Sequence, residues 1–224
     1  MGGQSPKPRD TPGQAAAPSG PDGRAAAVSL PRVHLIRHGE TAWSVSGQHT
    51  GRTDVPLTQR GEEKARQLGE RLRHLEFTRV FTSPLQRARR TAEQAGLGNQ
   101  LEVNADLVEW NYGQHEGLTT TEIRRRQPDW NVFLHGCPGG ESTEEIARRA
   151  DRIVGLLREL QGEIAVFSHG HFLRALVVRW LGLPVSEGRH FSLATASWSI
   201  LGFEHHERDE PAVVLWNALV HAER

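Results

Sequence analysis

The stretch HLIRHGETAW, His34 to Trp43, carries a β-compatible run into Arg37 and His38 side by side, with Gly39 and Glu40 directly after. Together such a pair can clamp an anion with the guanidinium fork while the imidazole attacks it. Two further places repeat the ingredients. Thr82-Ser83-Pro84 is followed by Arg87, and the apolar run EIAVF leads into Ser168-His169-Gly170. Each has a bland reading too: an Arg-His pair can be a solvated strand end, and RARR (87–90) an exposed helix face. SHGH (168–171) resembles a metal fragment, yet no further His or Cys stands at a regular ligand spacing, so no metal is expected. His205-His206 reads as plain loop surface, and the tryptophans as core or pocket wall.

The elements that must position these residues follow from pattern and composition. The 224 residues carry 27 Lys+Arg and 27 Asp+Glu. With no net charge there is no global field for nucleic acid or an anionic membrane, so any anion site must be local. A single cysteine, Cys137, excludes an intrachain disulfide and suits a reducing, cytoplasmic setting. No apolar run approaches the roughly 18 to 20 residues that span a bilayer. Residues 1 to 30 are rich in Pro, Gly, Ala and Ser and have almost nothing to bury, which predicts a disordered tail ahead of one domain over 31–224. That tail has no signal-peptide core, its Asp10 and Asp22 suit a transit peptide badly, and MGGQSP lacks the Ser or Thr of a myristoylation signal.

From Val33 onward short β-branched runs alternate with amphipathic stretches, the pattern of an α/β domain. VHLIRHG is the first expected strand, RVFTSP (79–84) the second and EIAVFSHG (163–170) a central one, apolar enough to be buried on both faces. Helices are expected over 58–75, over LQRARRTAEQAG with Gly96 closing it, over 119–126, over 142–160 with a Ser142/Glu145 capping box, and over HFLRALVVRWLG. TASWSILGFE and PAVVLWNA form an edge hairpin. Ligands of open α/β sheets bind beyond the carboxyl ends of the strands. If the three strands are neighbours, two arginines and two histidines converge there, and helix N-termini add unpaired N–H groups. A pocket of cations needs an anionic occupant, and a phosphate dianion fits.

LIRHGET, TSPLQRARRTAE, LVEWNYGQHEG and VFSHGH, in that order, resemble the motifs of the histidine phosphatase superfamily over about residues 31 to 220. The resemblance implies a three-layer α/β/α sandwich on a mostly parallel sheet, like phosphoglycerate mutase, with no metal and no cofactor. It implies that His38 is the nucleophile that becomes phosphohistidine, that Arg37, Arg87 and His169 bind the transferring phosphoryl group, and that Glu109 is the proton donor. His38 must then be neutral, which flanking arginines favour, and its other ring nitrogen needs an acceptor to fix the tautomer. Thr41, Ser44, Gln48, Thr50, Gly51, Tyr112 and Gly170 are expected to bind substrate alongside Arg37, Arg87 and His169. The pocket wall is expected from Trp43, Ser44, Gln48, Thr50, Trp110, Tyr112 and His115, with the loop around Cys137 close by.

Both mutases and phosphatases of this family share the motifs. The stretch between Gly117 and His169 lacks the long basic insertion of a mutase, and Ser44 stands where the mutase motif has asparagine. ETAWSVSGQHTGRTDVPLT and HGCPGGES look like the branch of sedoheptulose-1,7-bisphosphatase and broad-specificity acid phosphatases. The expected function is therefore hydrolysis of small phosphorylated metabolites, sugar phosphates foremost. Phosphoglycerate mutase is the alternative, and an idle phospho-ligand-binding module a second one. The expected partner is a small phosphorylated metabolite, with neither nucleic acid nor membrane; a homo-oligomer stays open.

Overall fold

The computed structural model describes residues 1–3, 30–205 and 207–219. Nearly all of the expected tail, and His206, lie outside the described residues. Four parallel strands, β1 (Arg32–Arg37), β2 (Phe77–Thr82), β3 (Leu101–Val103) and β4 (Glu163–Ser168), join two antiparallel ones, β5 (Trp198–Phe203) and β6 (Pro211–Ala218). Their order in the single sheet is β3–β2–β4–β1–β5–β6. The helices are α1 (Ala42–Ser46), α2 (Gln59–Leu72), α3 (Gln86–Gln94), α4 (Thr120–Arg124), α5 (Val132–His135), α6 (Thr143–Arg158) and α7 (Gly170–Trp180).

Strand alternation makes the three layers. Val33 and Leu35 of β1, with Ile164 and Val166 of β4, face the core shared with α6 and α7. Ile36, Ala165 and Phe167 point to the opposite face, where Leu68 and Leu72 of α2 and Ala92 of α3 cover them. Because β4 is buried on both faces it reads as a continuous apolar run. The α/β/α sandwich is thus the architecture of the molecule. Thr58 and Ser142 cap α2 and α6, the latter by the expected capping box with Glu145. Helix α2 stops at Leu72, short of the expected 75; β2 starts two residues earlier than expected, and it ends at Thr82 because the chain leaves the sheet before Pro84.

β2, β4 and β1 are immediate neighbours, so their carboxyl ends lie side by side. The ladder continues one residue past the strands: the His38 amide donates to the Ser168 carbonyl at 2.9 Å and the Ser83 amide to the Phe167 carbonyl at 3.0 Å. Among the described residues no helix is long and apolar enough to cross a membrane.

Candidate active site

His38 follows β1 and is buried, with its Nδ1 2.7 Å from the Gly39 carbonyl. That carbonyl can only accept, so Nδ1 carries the proton and Nε2 keeps its lone pair. Gly39 itself is pinned: its amide donates to Thr91 Oγ1 at 2.8 Å, and a Cβ on it would stand 2.7 Å from the Gly61 carbonyl oxygen. Only glycine allows that close approach of α2 to the loop that carries His38. Burial holds the His38 pKa well below the ordinary histidine value, and the positive charges of Arg87 and Arg37 push the same way. The result is a neutral imidazole of fixed tautomer.

Arg37 extends beside it with Nη1 donating to the Leu193 carbonyl, while its buried Nε has no partner. Its guanidinium lies flat on the start of α7, where a Cβ at Gly170 would meet Cζ and Nε at 3.2 Å. A buried guanidinium N–H without an acceptor is costly to leave unmade and suits an incoming anion.

Arg87 and His169 stand behind His38 with no exposed surface. The His38 and His169 rings are 5.2 Å apart between centroids. Arg87 Nε donates to His169 Nδ1 at 3.1 Å, so the His169 proton sits on Nε2 and reaches Ser83 Oγ at 2.8 Å. The rest of the Arg87 fork donates to the Thr50, Gly51 and Thr53 carbonyls at 2.9–3.0 Å. Arg87 therefore ties down the 50–53 loop and keeps its charge near His38, while the neutral His169 links Arg87 to Ser83; neither lines the cleft.

Glu109 is buried, and its carboxylate accepts three backbone N–H groups: Trp110 at 2.9 Å, His171 at 3.0 Å and Phe172 at 2.8 Å. The first turn of α7 is thereby spent on Glu109. Gln86 at the start of α3 likewise donates its amide to Asp54 at 2.8 Å. The expected free helix N-termini are thus occupied by carboxylates of the protein itself.

A cleft of about 180 Å³ opens over Arg37, His38 and Glu109. It is walled on one side by Trp43, Ser44, Gln48 and Thr50 and on the other by Tyr112 and Gly170, all expected. Thr41 is not there: it is fully buried, capping α1 by accepting from the Ser44 amide at 3.1 Å. Gly51 is a scaffold residue, its amide taken by Glu116 and its carbonyl by Arg87. Trp110 turns into the core and donates from its indole to the Glu141 carbonyl at 2.8 Å. His115 packs edge-on against Trp130, and Cys137 is buried in the same core. None of these five residues lines the cleft.

The sequence reading missed His49, His171 and Arg174 on the cleft wall, along with Leu193. His171 directly follows Gly170 in SHGH, and Arg174 lies one helical turn farther on; that spacing was the available signal. Burial holds His171 well below the ordinary histidine range and brings His49 to about 4, so both are neutral near pH 7. Among the described residues no cluster of His, Cys, Asp and Glu is suited to hold a metal ion.

A family model described as Histidine phosphatase superfamily (branch 1) matches residues 33–219. An acid phosphatase of Mycobacterium tuberculosis is 48% identical over 178 residues, covering 78% of this chain and 87% of its own length. The sedoheptulose 1,7-bisphosphatase of Saccharomyces cerevisiae is 32% identical over 249 residues, covering 83% and 92%. A solved open-reading-frame product of M. tuberculosis superposes with a TM-score of 0.80 at 44% identity, over 85% of this chain and 98% of the other.

Proposed function

Because the chain belongs to the histidine phosphatase superfamily, branch 1, we propose that it hydrolyses phosphomonoesters of small metabolites, sugar phosphates among them, through a phosphohistidine on His38 and without a metal. The observation that carries this reading is the state of His38: neutral, proton fixed on Nδ1, Nε2 free, beside an arginine with an unmet N–H. The two relatives reported above are named an acid phosphatase and a sedoheptulose 1,7-bisphosphatase. A cleft of about 180 Å³ is below the roughly 300 Å³ at which drug-sized pockets begin, which favours a small substrate over a protein phosphosite.

In the first step Nε2 of His38 attacks phosphorus, the N–P bond forms and the ester P–O bond breaks. Arg37 holds the equatorial oxygens, the main task the protein has in phosphoryl transfer. The leaving alkoxide takes a proton from Glu109. Glu109 is held at the edge of the cleft by its three amide contacts, on the same cleft that His38 lines. In the second step Glu109, now ionised, takes a proton from water, which attacks phosphorus and returns His38 to its free form as the N–P bond breaks. Arg87 keeps the 50–53 loop in place with His169 hydrogen-bonded to it, and their closeness to His38 lets them join the phosphate contacts once Arg87 exchanges a carbonyl for a phosphoryl oxygen. Cytoplasmic residence accords with Cys137 being the one cysteine of the chain, free and buried.

The test is phosphate release from a panel of sugar phosphates and 3-phosphoglycerate in the presence of EDTA, with acid quench of a labelled substrate. We expect turnover that EDTA does not change and an acid-labile phosphoenzyme, both lost in His38→Ala. Strict dependence on added Mg²⁺, or substantial activity in His38→Ala, would overturn the mechanism; net conversion between phosphoglycerate isomers without phosphate release would make the enzyme a mutase.

A further inference from the structure

We propose that Asn217, on the outer strand β6, is a positioning residue for phosphoryl transfer: its side-chain carbonyl fixes the peptide plane between Leu193 and Ala194, and through that plane the seat of the Arg37 guanidinium. This rests on the phosphatase reading above.

A trans peptide is flat, with its C=O and N–H pointing to opposite edges. At the plane that joins Leu193 to Ala194, the carbonyl accepts from Arg37 Nη1 and the Ala194 amide donates to Asn217 Oδ1 at 2.8 Å. Arg37 and Asn217 therefore hold one rigid unit from its two sides, and neither hydrogen bond can turn without the other. An acceptor on the N–H also polarises the carbonyl across the plane, which strengthens its hold on a guanidinium. With Nη1 anchored there, the direction of the unpaired Nε of Arg37 is set as well.

The same turn holds His38. The Ala196 amide donates to the His38 carbonyl at 3.0 Å and the Arg37 amide to the Ser197 carbonyl at 3.2 Å, while Ser197 Oγ donates to the Ala194 carbonyl at 2.7 Å. Ala196 keeps a φ of +55°, a left-handed conformation that a residue with a Cβ holds only where its surroundings impose it. Leu193 itself lines the cleft.

Asn217 suits its place twice over. β6 takes three steps from Leu215 to Ala218 where β5 takes two from Ile200 to Trp198, so β6 is bulged there, and Asn217 has a φ of +56°. Asparagine tolerates that conformation better than most residues, and its short carbonyl reaches backbone amides readily. Its own amide donates to Oγ of the fully buried Ser199 at 3.0 Å. The neighbouring Trp216 Nε1 donates to the Ser192 carbonyl at 2.7 Å. Two consecutive side chains thus grip one turn, where an unbroken strand would send them to opposite faces; re-aiming of this kind is what a bulge provides. A residue serving only the bulge would need the φ alone and leave its side-chain carbonyl without a task.

The experiment follows hydrolysis of p-nitrophenyl phosphate by the full chain, with inorganic phosphate as competitive inhibitor and a thermal melt as the check on folding. Asn217→Gly keeps the left-handed φ and removes only the acceptor. Its kcat/KM should fall by about 10- to 100-fold, the scale of an ångström's misplacement of a positioning group. The inhibition constant of phosphate should rise alongside, and the melt should stay cooperative. Asn217→Asp, which keeps both the φ and the acceptor, should remain close to the wild type. Because Asn217 acts through Arg37, Asn217→Gly made on top of Arg37→Ala should cost only about twofold more. An unchanged kcat/KM in Asn217→Gly, or the full loss repeated on top of Arg37→Ala, would overturn the positioning role and leave the phosphatase reading intact. A loss in Asn217→Asp as large as in Asn217→Gly would overturn it too. If Asn217→Gly does not fold, Asn217→His, which also accepts the left-handed φ, takes its place with the same outcomes. A wild type that releases no phosphate from any ester would instead sink the functional reading beneath it.

Discussion

Glu109 shows how a single side chain can serve two demands at once. Its carboxylate terminates α7 by accepting the His171 and Phe172 amides while facing the substrate cleft. Glu109→Gln should slow phosphoryl transfer from alkyl phosphates by roughly 10²- to 10⁴-fold and spare p-nitrophenyl phosphate, whose leaving group departs nearly unaided; pre-steady-state phosphorylation rates on both substrates check this. The substitution is not isosteric in hydrogen bonding. A glutamine has one acceptor oxygen, so its NH₂ must face one of three amide donors, and the variant should also lose about 1–3 kcal/mol of stability in a denaturant melt. Equal losses of rate on both substrates would reduce Glu109 to a helix cap. That Arg37 and His38 would meet at the end of β1 was legible from residue type at a strand end, whereas Glu109, which lines the same cleft, was singled out only through the family resemblance. That Arg87 would be committed to the Thr50, Gly51 and Thr53 carbonyls was not, since side-chain direction depends on which carbonyls the 50–53 segment brings within reach.

Helix α7 is the element that organises the cleft, because one of its faces offers Gly170 to Arg37, the His171 amide to Glu109 and the Arg174 fork to the opening. Gly170 is needed for closeness rather than for backbone conformation. In Gly170→Ala the new methyl would press on the guanidinium at 3.2 Å and shift it by a few tenths of an ångström. We expect kcat/KM to fall by about tenfold with the melting temperature nearly unchanged, since misplacement of a positioning group costs rate more than stability. An unchanged kcat/KM would mean that Arg37 has slack in its seat. Long elements were readable from pattern: α6 with its capping box, α2 with its apolar stripe and β4 with its unbroken apolar run all lie close to expectation. Helices α1 and α5 were not, because 5 and 4 residues are too few for a helical period to declare itself. Trp110, His115 and Cys137 were misplaced for a related reason. Around an irregular segment, neighbours in sequence alternate between cleft and core without a fixed period.

The molecule as a whole carries an unusual load of imidazoles held neutral. Burial lowers His34, His38, His169 and His171, and His49 to about 4. The unfolded chain protonates each of them near the ordinary 6.5, whereas the folded chain does so only at lower pH, so between those values unfolding takes up protons and acid favours it. Stability should be on a plateau above about pH 7 and fall as pH drops below 6.5, with about 1 kcal/mol per pH unit from each fully buried histidine. Thermal melts between pH 8 and 5 read this directly, and a flat profile across pH 6.5 to 5 would show that these rings are charged in the native state. The position of β1 adds a consequence of another kind. It is hydrogen-bonded on both edges, parallel to β4 and antiparallel to β5, while only β6 and β3 lie at the margins of the sheet. The strand that leads into His38 should therefore exchange its amide hydrogens only when the whole sheet opens, whereas β6 can fray alone. Catalytic competence is tied to the slowest-opening unit of the fold: warming should extinguish activity in the same transition that melts the protein, with no folded but inactive species in between.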